Sequence, residues 1–85
     1  IENCKIIEPV LIGSNCILKN ATLGPNISIG DNVEIENSTI ENSIIRNNSK
    51  IINLPETLSG SVIGRGSEIV MEKSTKKIKL VLGDN

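Results

Sequence analysis

The sequence predicts an all-β fold, a single-stranded parallel β-helix of about four to five triangular coils, from three observations. A unit of about seventeen residues repeats along the chain, large aliphatic residues head three segments of each unit, and Phe, Tyr and Trp are absent. A short repeat of this kind cannot bury its own apolar face and must stack on its neighbours. Stacked aliphatic side chains then fill a narrow interior that has no room for an aromatic ring.

The segment "IENSTIENSII" (residues 35–45) shows why neither standard element explains the spacing. Its isoleucines recur at every fifth position, at Ile35, Ile40 and Ile45. Fifth positions on a helix scatter around the axis instead of forming one stripe. On a flat strand, an odd step moves each isoleucine to the opposite face. One isoleucine on each side of a three-sided coil satisfies the pattern.

The repeat appears when the chain is divided into 1–17, 18–34, 35–50 and 51–68. The third unit is one residue shorter than the first two, and the fourth is one residue longer. If coils stack about 4.8 Å apart, the heading aliphatic residues form columns through the interior. The predicted structural core columns consist of Ile1, Ile6, Ile12, Leu18, Leu23, Ile29, Ile35, Ile40, Ile45, Ile51, Leu58, Ile63 and Ile69.

The corners are predicted from two further recurring positions. A small or slender residue stands two places before most heading residues, and Asn or Gly stands one place earlier. Asn and Gly tolerate left-handed backbone angles, which suit a tight corner. The predicted corner residues are Asn3, Asn15, Asn20, Asn26, Asn32, Asn37, Asn42, Asn48, Gly60 and Gly66.

The repeat is interrupted at 52–61, "INLPETLSGS". Ile51 and Leu58 are seven residues apart, and Pro55 cannot donate to a strand ladder. We therefore expect one short loop near 52–61. It would either reach a neighbouring subunit or catalytic domain, or be a tolerated insertion.

The hexapeptides "IGSNCI", "LGPNIS", "IGDNVE" and "IGRGSE" resemble the repeat of left-handed β-helices, and the left hand is expected from this resemblance alone. With "IENSTIENSII" and the closing "KLVLGDN" (79–85), the chain resembles the C-terminal β-helix domain of long-form glucose-1-phosphate thymidylyltransferases, including archaeal relatives. The resemblance implies that residues 1–85 are a single β-helix domain, the C-terminal fragment of a longer two-domain chain. A separate N-terminal domain would then join dTTP to glucose 1-phosphate with Mg²⁺, giving dTDP-glucose and pyrophosphate.

The resemblance also implies an accessory, oligomerising role. The partners would be the chain's own N-terminal catalytic domain and further copies of the chain, with a trimer favoured. At least one outer face would then be apolar, and the candidates are Ile17, Ile44, Ile52, Val62 and Val70. No nucleic-acid or membrane partner is expected, and the expected location is cytoplasmic.

We predict no catalytic, cofactor-binding or metal-binding residue within the chain. It contains no histidine, the usual general base of hexapeptide acyltransferases and the usual zinc ligand on this fold. Glu36 and Glu41 are isolated acids, and "GRGSE" (64–68) is too short for a dinucleotide loop. Cys4 and Cys16 fit small inward positions as reduced thiols. A hexapeptide acyltransferase, acting as a sugar-phosphate N-acetyltransferase, and a regulatory effector-binding module stay open as alternatives.

The net charge is −1, but its distribution is uneven. Residues 73–85 carry four Lys against one Asp. Because no aromatic residue is available for base stacking, we interpret this tail as solvated charge rather than a nucleic-acid site. Ile78, Leu80 and Leu82 are expected to alternate inward.

Overall fold

The computed structural model describes residues 1–71 and the backbone of 78–81. Within these ranges the fold is all-β, with parallel sheets stacked as a β-solenoid of about four turns, consistent with a left-handed β-helix. The predicted fold class is therefore confirmed. The strands are β1 (Lys5–Ile6), β2 (Val10–Ile12), β3 (Ile17–Lys19), β4 (Thr22–Leu23), β5 (Ile27–Ile29), β6 (Glu34–Glu36), β7 (Thr39–Glu41), β8 (Ser43–Ile45), β9 (Lys50–Ile52), β10 (Leu58–Ser59), β11 (Val62–Ile63), β12 (Glu68–Met71) and β13 (Ile78–Val81).

The strands form the three faces of the prism. Face 1 contains β1, β4, β7 and β10, and face 2 contains β2, β5, β8 and β11. Face 3 contains β3, β6, β9, β12 and β13. Each strand of a coil pairs in parallel with the corresponding strand of the next coil, whereas β13 pairs with β12 in antiparallel orientation.

The registers place the heading aliphatic residues directly over one another. On face 3, for example, Leu18 pairs with Ile35, Ile35 with Ile51, and Ile51 with Ile69. The middle of each column is sealed from solvent. The buried heading residues are Leu18, Leu23, Ile29, Ile35, Ile40, Ile45 and Ile51.

Burial falls off at both ends of the columns. Ile12, Leu58, Ile63 and Ile69 are half-buried, while Ile1 is 76% exposed and Ile6 is 39% exposed. Within residues 1–71, the first coil packs against the second coil only. The columns are therefore best packed in the second and third coils.

Left-handed backbone at the corners is confirmed at all ten predicted positions, with φ between 49° and 69°. Asn53 also has a φ of 59° and Gly24 a φ of 104°, and neither was among the predicted residues. The corner amides also bond from coil to coil, as in Asn37 Nδ2 donating to Asn53 Oδ1 at 2.8 Å. Stacked corners therefore supply both local backbone geometry and contacts between coils.

Serines fill several of the small inward positions between the corners and the heading residues. Ser38 Oγ donates to the Glu36 carbonyl at 2.8 Å, and Ser43 Oγ donates to the Glu41 carbonyl at 2.7 Å. Each hydroxyl also accepts a backbone N–H from the following coil, that of Leu54 or Ser61, at 3.2 Å. Among the described residues, no buried side-chain polar atom lacks a partner.

The interruption at 52–61 is a local enlargement of one corner. Asn53 keeps its place above Asn37, and its N–H donates to the Glu36 carbonyl at 2.9 Å. Leu54 packs against the core, and the extra residues follow it before β10 begins at Leu58. The coil therefore accommodates the insertion without losing its register, since Leu58 pairs with Ile40.

At the C-terminal end, the antiparallel strand β13 covers the edge of β12. Leu80 pairs with Ile69 and Ile78 with Met71, which adds a fifth strand to face 3. The predicted inward alternation of Ile78, Leu80 and Leu82, and the interpretation of the basic tail 73–85, lie outside the described side chains.

Candidate interaction face

The three outer faces differ in chemistry because outward positions do not have to repeat from coil to coil. On face 1 the outward residues Lys5, Thr22 and Thr39 lie in register and are polar. Face 3 has two outward rows, of which the first is mostly charged and the second changes from charged to aliphatic residues along the solenoid. One row is Ile17, Glu34, Lys50 and Glu68, and the other is Lys19, Glu36, Ile52 and Val70.

Face 2 presents an apolar row to solvent. Leu11 pairs with Ser28, Ser28 with Ile44, and Ile44 with Val62. The three aliphatic side chains are 71%, 46% and 60% exposed, respectively. We call Leu11, Ser28, Ile44 and Val62 the face 2 row. Burying such a row against a partner would stabilise the contact by about 25 cal/mol for each Å² of apolar surface removed from water.

Open grooves border the face 2 row on both sides. A groove of about 360 Å³ runs along the corner between faces 1 and 2, beside Asn42 and Gly60. Another, of about 260 Å³, lies along the corner between faces 2 and 3, beside Arg46 and Arg65. Ile44 lines both grooves, so it occupies the centre of this surface.

The corner between faces 2 and 3 is built by close backbone approach. The Asp31 N–H donates to Asn47 Oδ1 at 2.8 Å, and the Ser14 N–H donates to Asp31 Oδ1 at 2.8 Å. A Cβ added at Gly30 would overlap Asn47 Oδ1 and lie 2.9 Å from its backbone nitrogen. Glycine at this position therefore lets the second and third coils stack closely at this corner.

On face 3, the carboxyl group of Glu34 has a shifted pKa. A hydrogen bond with Glu36 raises the pKa of Glu34, and partial burial raises this pKa further, while Lys50 opposes the shift. The Lys50 Nζ lies 3.9 Å from Glu34 Oε1, at the long end of an ion pair on a solvated surface. These groups pair with one another, and we assign them no catalytic role.

The structure separates the five residues predicted for an apolar outer face. Ile44 and Val62 lie on face 2, whereas Ile17, Ile52 and Val70 lie on face 3, in rows that they share with charged residues. Sequence reasoning also missed Leu11, which stands within the continuous apolar run "PVLI". The available signal was its place between two inward residues, Val10 and Ile12, because alternate strand residues point to opposite faces.

The residues considered for chemistry are dispersed. Glu36 lies on face 3 and Glu41 at the corner between faces 1 and 2, and no group of three metal-ligating residues occurs in the described ranges. Cys4 and Cys16 are unpaired thiols packed against the core. "GRGSE" forms a corner, with Gly66 at a φ of 69°.

No helix in the described part of the chain is long and apolar enough to span a membrane.

The chain is similar to known sugar-1-phosphate nucleotidyltransferases. It is 31% identical over 86 residues to a glucose-1-phosphate thymidylyltransferase of Streptomyces antibioticus and 27% identical over 86 residues to that of Streptomyces griseus. Both alignments cover 100% of this chain but 24% of the relative. It is also 49% identical over 49 residues to a probable mannose-1-phosphate guanyltransferase of Schizosaccharomyces pombe, covering 55% of the chain and 12% of that protein.

The chain thus spans 24% of the length of the thymidylyltransferases that it matches. No family model and no solved structure matches it. Together, the β-solenoid and the three similar proteins support a nucleotidyltransferase-related domain.

Proposed function

We propose that this chain is the accessory β-helix of a sugar-1-phosphate nucleotidyltransferase and that it joins copies of the protein through face 2. The observation that carries the proposal is the face 2 row, where three large aliphatic side chains lie exposed in one register. Contiguous exposed apolar surface is characteristic of interaction sites. The polar outward row of face 1 offers no comparable surface.

The proposal extends to the longer protein. Similarity to two thymidylyltransferases favours a parent that uses dTTP, glucose 1-phosphate and Mg²⁺ in an N-terminal domain, with this chain as its C-terminal part. The match to a guanyltransferase makes GTP the competing nucleotide. A relationship to archaeal members and a cytoplasmic location belong to the same proposal. Pyrophosphate release by the longer protein, measured with dTTP and with GTP, tests the nucleotide assignment.

The oligomerising role is tested on the 85-residue chain by size-exclusion chromatography with light scattering. We expect an oligomer, with a trimer as the favoured state, and we expect Ile44→Glu to convert it to a monomer by placing a charge at the centre of the row. Thr39→Glu is the matched control, because Thr39 is also an outward strand residue of the third coil, at the start of β7, but lies on face 1.

A monomeric wild-type chain would overturn the oligomerising role. Equal dissociation of both variants would show that added charge, rather than face 2, is responsible. Circular dichroism of each variant establishes that the solenoid is intact. Turnover of acetyl-CoA with glucosamine 1-phosphate by the chain would favour the acyltransferase alternative instead.

A further inference from the structure

The corner between faces 2 and 3 contains a ladder of stacked polar residues that ends at an arginine. The stacked residues, one from each coil, are Ser14, Asp31, Asn47 and Arg65. In the first two steps a backbone N–H donates to the side chain of the next coil. The Ser14 N–H donates to Asp31 Oδ1, and the Asp31 N–H donates to Asn47 Oδ1, both at 2.8 Å. In the third step the next coil offers Arg65, whose guanidinium cannot accept a hydrogen bond.

The Asn47 N–H consequently has no acceptor among residues 1–71. It occupies the same place in its coil as the Asp31 N–H one coil below, so it is directed towards the fourth coil. The Gly66 N–H donates back to the Asn47 carbonyl at 3.0 Å, which keeps the two coils in register at this corner. An anionic oxygen beside Arg65 would accept from Asn47 as the side chains of the ladder accept in the coils below.

Two arginines flank this N–H. Arg46 precedes Asn47 in the third coil, Arg65 lies in the fourth, and both side chains are exposed and line the groove of about 260 Å³ at this corner. Within residues 1–71, neither guanidinium makes an ion pair or a hydrogen bond. Because consecutive coils lie about 4.8 Å apart, the long side chains of both arginines can reach one tetrahedral anion.

No acid of the described chain neutralises this corner. Asp31 Oδ1 accepts from a backbone N–H of the first coil, so this oxygen lies on the side away from Arg65. Glu34, on face 3, lies 3.9 Å from the Lys50 Nζ. Glu68 opens β12 in register with Lys50 and makes no ion pair with an arginine. The corner therefore combines two positive charges with a backbone donor.

We propose that this corner binds a dianionic phosphate group, with one oxygen accepting from the Asn47 N–H and the others from Arg46 and Arg65. A phosphate group carries a charge of about −2, which two arginines match. Guanidinium–phosphate hydrogen bonds are charge-assisted and geometrically specific, and backbone N–H groups contribute to many anion sites. The groove extends along face 2 to Ser28 and Ile44, which leaves room for the organic part of a phosphate ester. The inference goes beyond the proposed function and does not depend on assembly.

The test is a titration of the 85-residue chain with sodium phosphate, followed by amide NMR at an ionic strength held constant with sodium chloride. We expect a saturable downfield shift of the Asn47 amide proton. Arg46→Gln and Arg65→Gln are each expected to raise the dissociation constant about tenfold, since each removes a charged hydrogen-bond donor. Lys5→Gln is the control, because it removes an exposed cation from face 1 and is expected to leave binding unchanged.

Arg65→Asn separates the donor arrangement from simple charge. The new side chain is expected to accept from the Asn47 N–H and to continue the ladder, as Asn47 does for Asp31. The Asn47 amide proton should then lie downfield without phosphate and respond no further to it. A wild-type position and a wild-type response in this variant would show that the Asn47 N–H is not part of the site.

Two other results would overturn the phosphate site. One is a response that does not saturate, and the other is an equal loss in Lys5→Gln and the arginine variants, because screening of surface charge would explain either. Titration with glucose 1-phosphate identifies the source of the phosphate group. Tighter binding than that of inorganic phosphate assigns an ester, and equal or weaker binding assigns the free ion.

Failure of this inference is distinguishable from failure of the proposed function. A chain that assembles but does not bind phosphate contradicts the phosphate site alone. A monomeric chain that binds phosphate contradicts the oligomerising role alone. The amide spectrum of each variant also shows whether the solenoid is folded, which separates loss of binding from loss of structure.

Discussion

Asparagine at the corners combines two physical roles in one side chain. It accepts a left-handed backbone at less strain than other residues that have a Cβ, and its amide can bond to the corresponding residue of the next coil. Asn37 shows both, with a φ of 50° and an amide that donates to Asn53 Oδ1. The sequence predicts the first role from recurrence alone, whereas the second depends on which corners stack.

Substitutions at Asn37 separate these roles. Asn37→Gly keeps the backbone freedom and loses the amide bond, so we expect the free energy of unfolding to fall by about 1 kcal/mol. Asn37→Ala loses both the backbone freedom and the amide bond. Its free energy of unfolding is expected to fall by about 2 kcal/mol, because a left-handed residue with a Cβ is strained. Urea denaturation measures both variants. Equal losses would contradict the assigned importance of the left-handed backbone.

At the level of the element, each strand is too short to be stable alone and depends on its place in a column. Ile40 of β7 is fully buried between Leu23 and Leu58 of the same column, whereas Leu58 of β10 is only half-buried. The contribution of a heading residue to the free energy of unfolding therefore depends on its depth in the stack. Its side chain alone does not determine that contribution.

A pair of truncations tests this dependence. Ile40→Ala and Leu58→Ala remove the same number of carbon atoms from adjacent levels of one column. We expect Ile40→Ala to lower the free energy of unfolding by about 2–5 kcal/mol, as for other buried large-to-small changes. Leu58→Ala is expected to cost less than half as much, measured by the same denaturation. A larger loss at Leu58 would show that the enlarged corner before it packs more tightly than its exposure indicates.

The molecule as a whole is a stack in which each coil contacts mainly its neighbours. Within residues 1–71, its first coil packs against the second coil only, and the heading residues Ile1 and Ile6 are exposed. At the other end, β13 pairs with β12 and extends face 3 by one strand. Stability is therefore expected to increase from the first coil towards the middle.

Hydrogen exchange measures this gradient. The Lys5 N–H donates to the Ala21 carbonyl at 2.9 Å, and the Thr22 N–H, one coil further on, donates to the Ser38 carbonyl at 3.0 Å. Since these bonds have nearly the same length, a difference in exchange reports position in the stack. We expect faster exchange at Lys5. Equal protection of the two amides would indicate that the solenoid opens as one cooperative unit.

The sequence by itself determined the coil: its three sides, its corners and the identity of the heading residues. These features repeat in every coil and follow from local backbone preference and from the need to bury aliphatic side chains. Only the tertiary structure decided how the outer residues combine. Outward positions do not repeat, and the short corner at Glu41–Asn42 and the enlarged one after Asn53 shift the spacing between coils. The face 2 row therefore emerges only when the registers are known, because side chains distant in sequence meet through the stacking of coils.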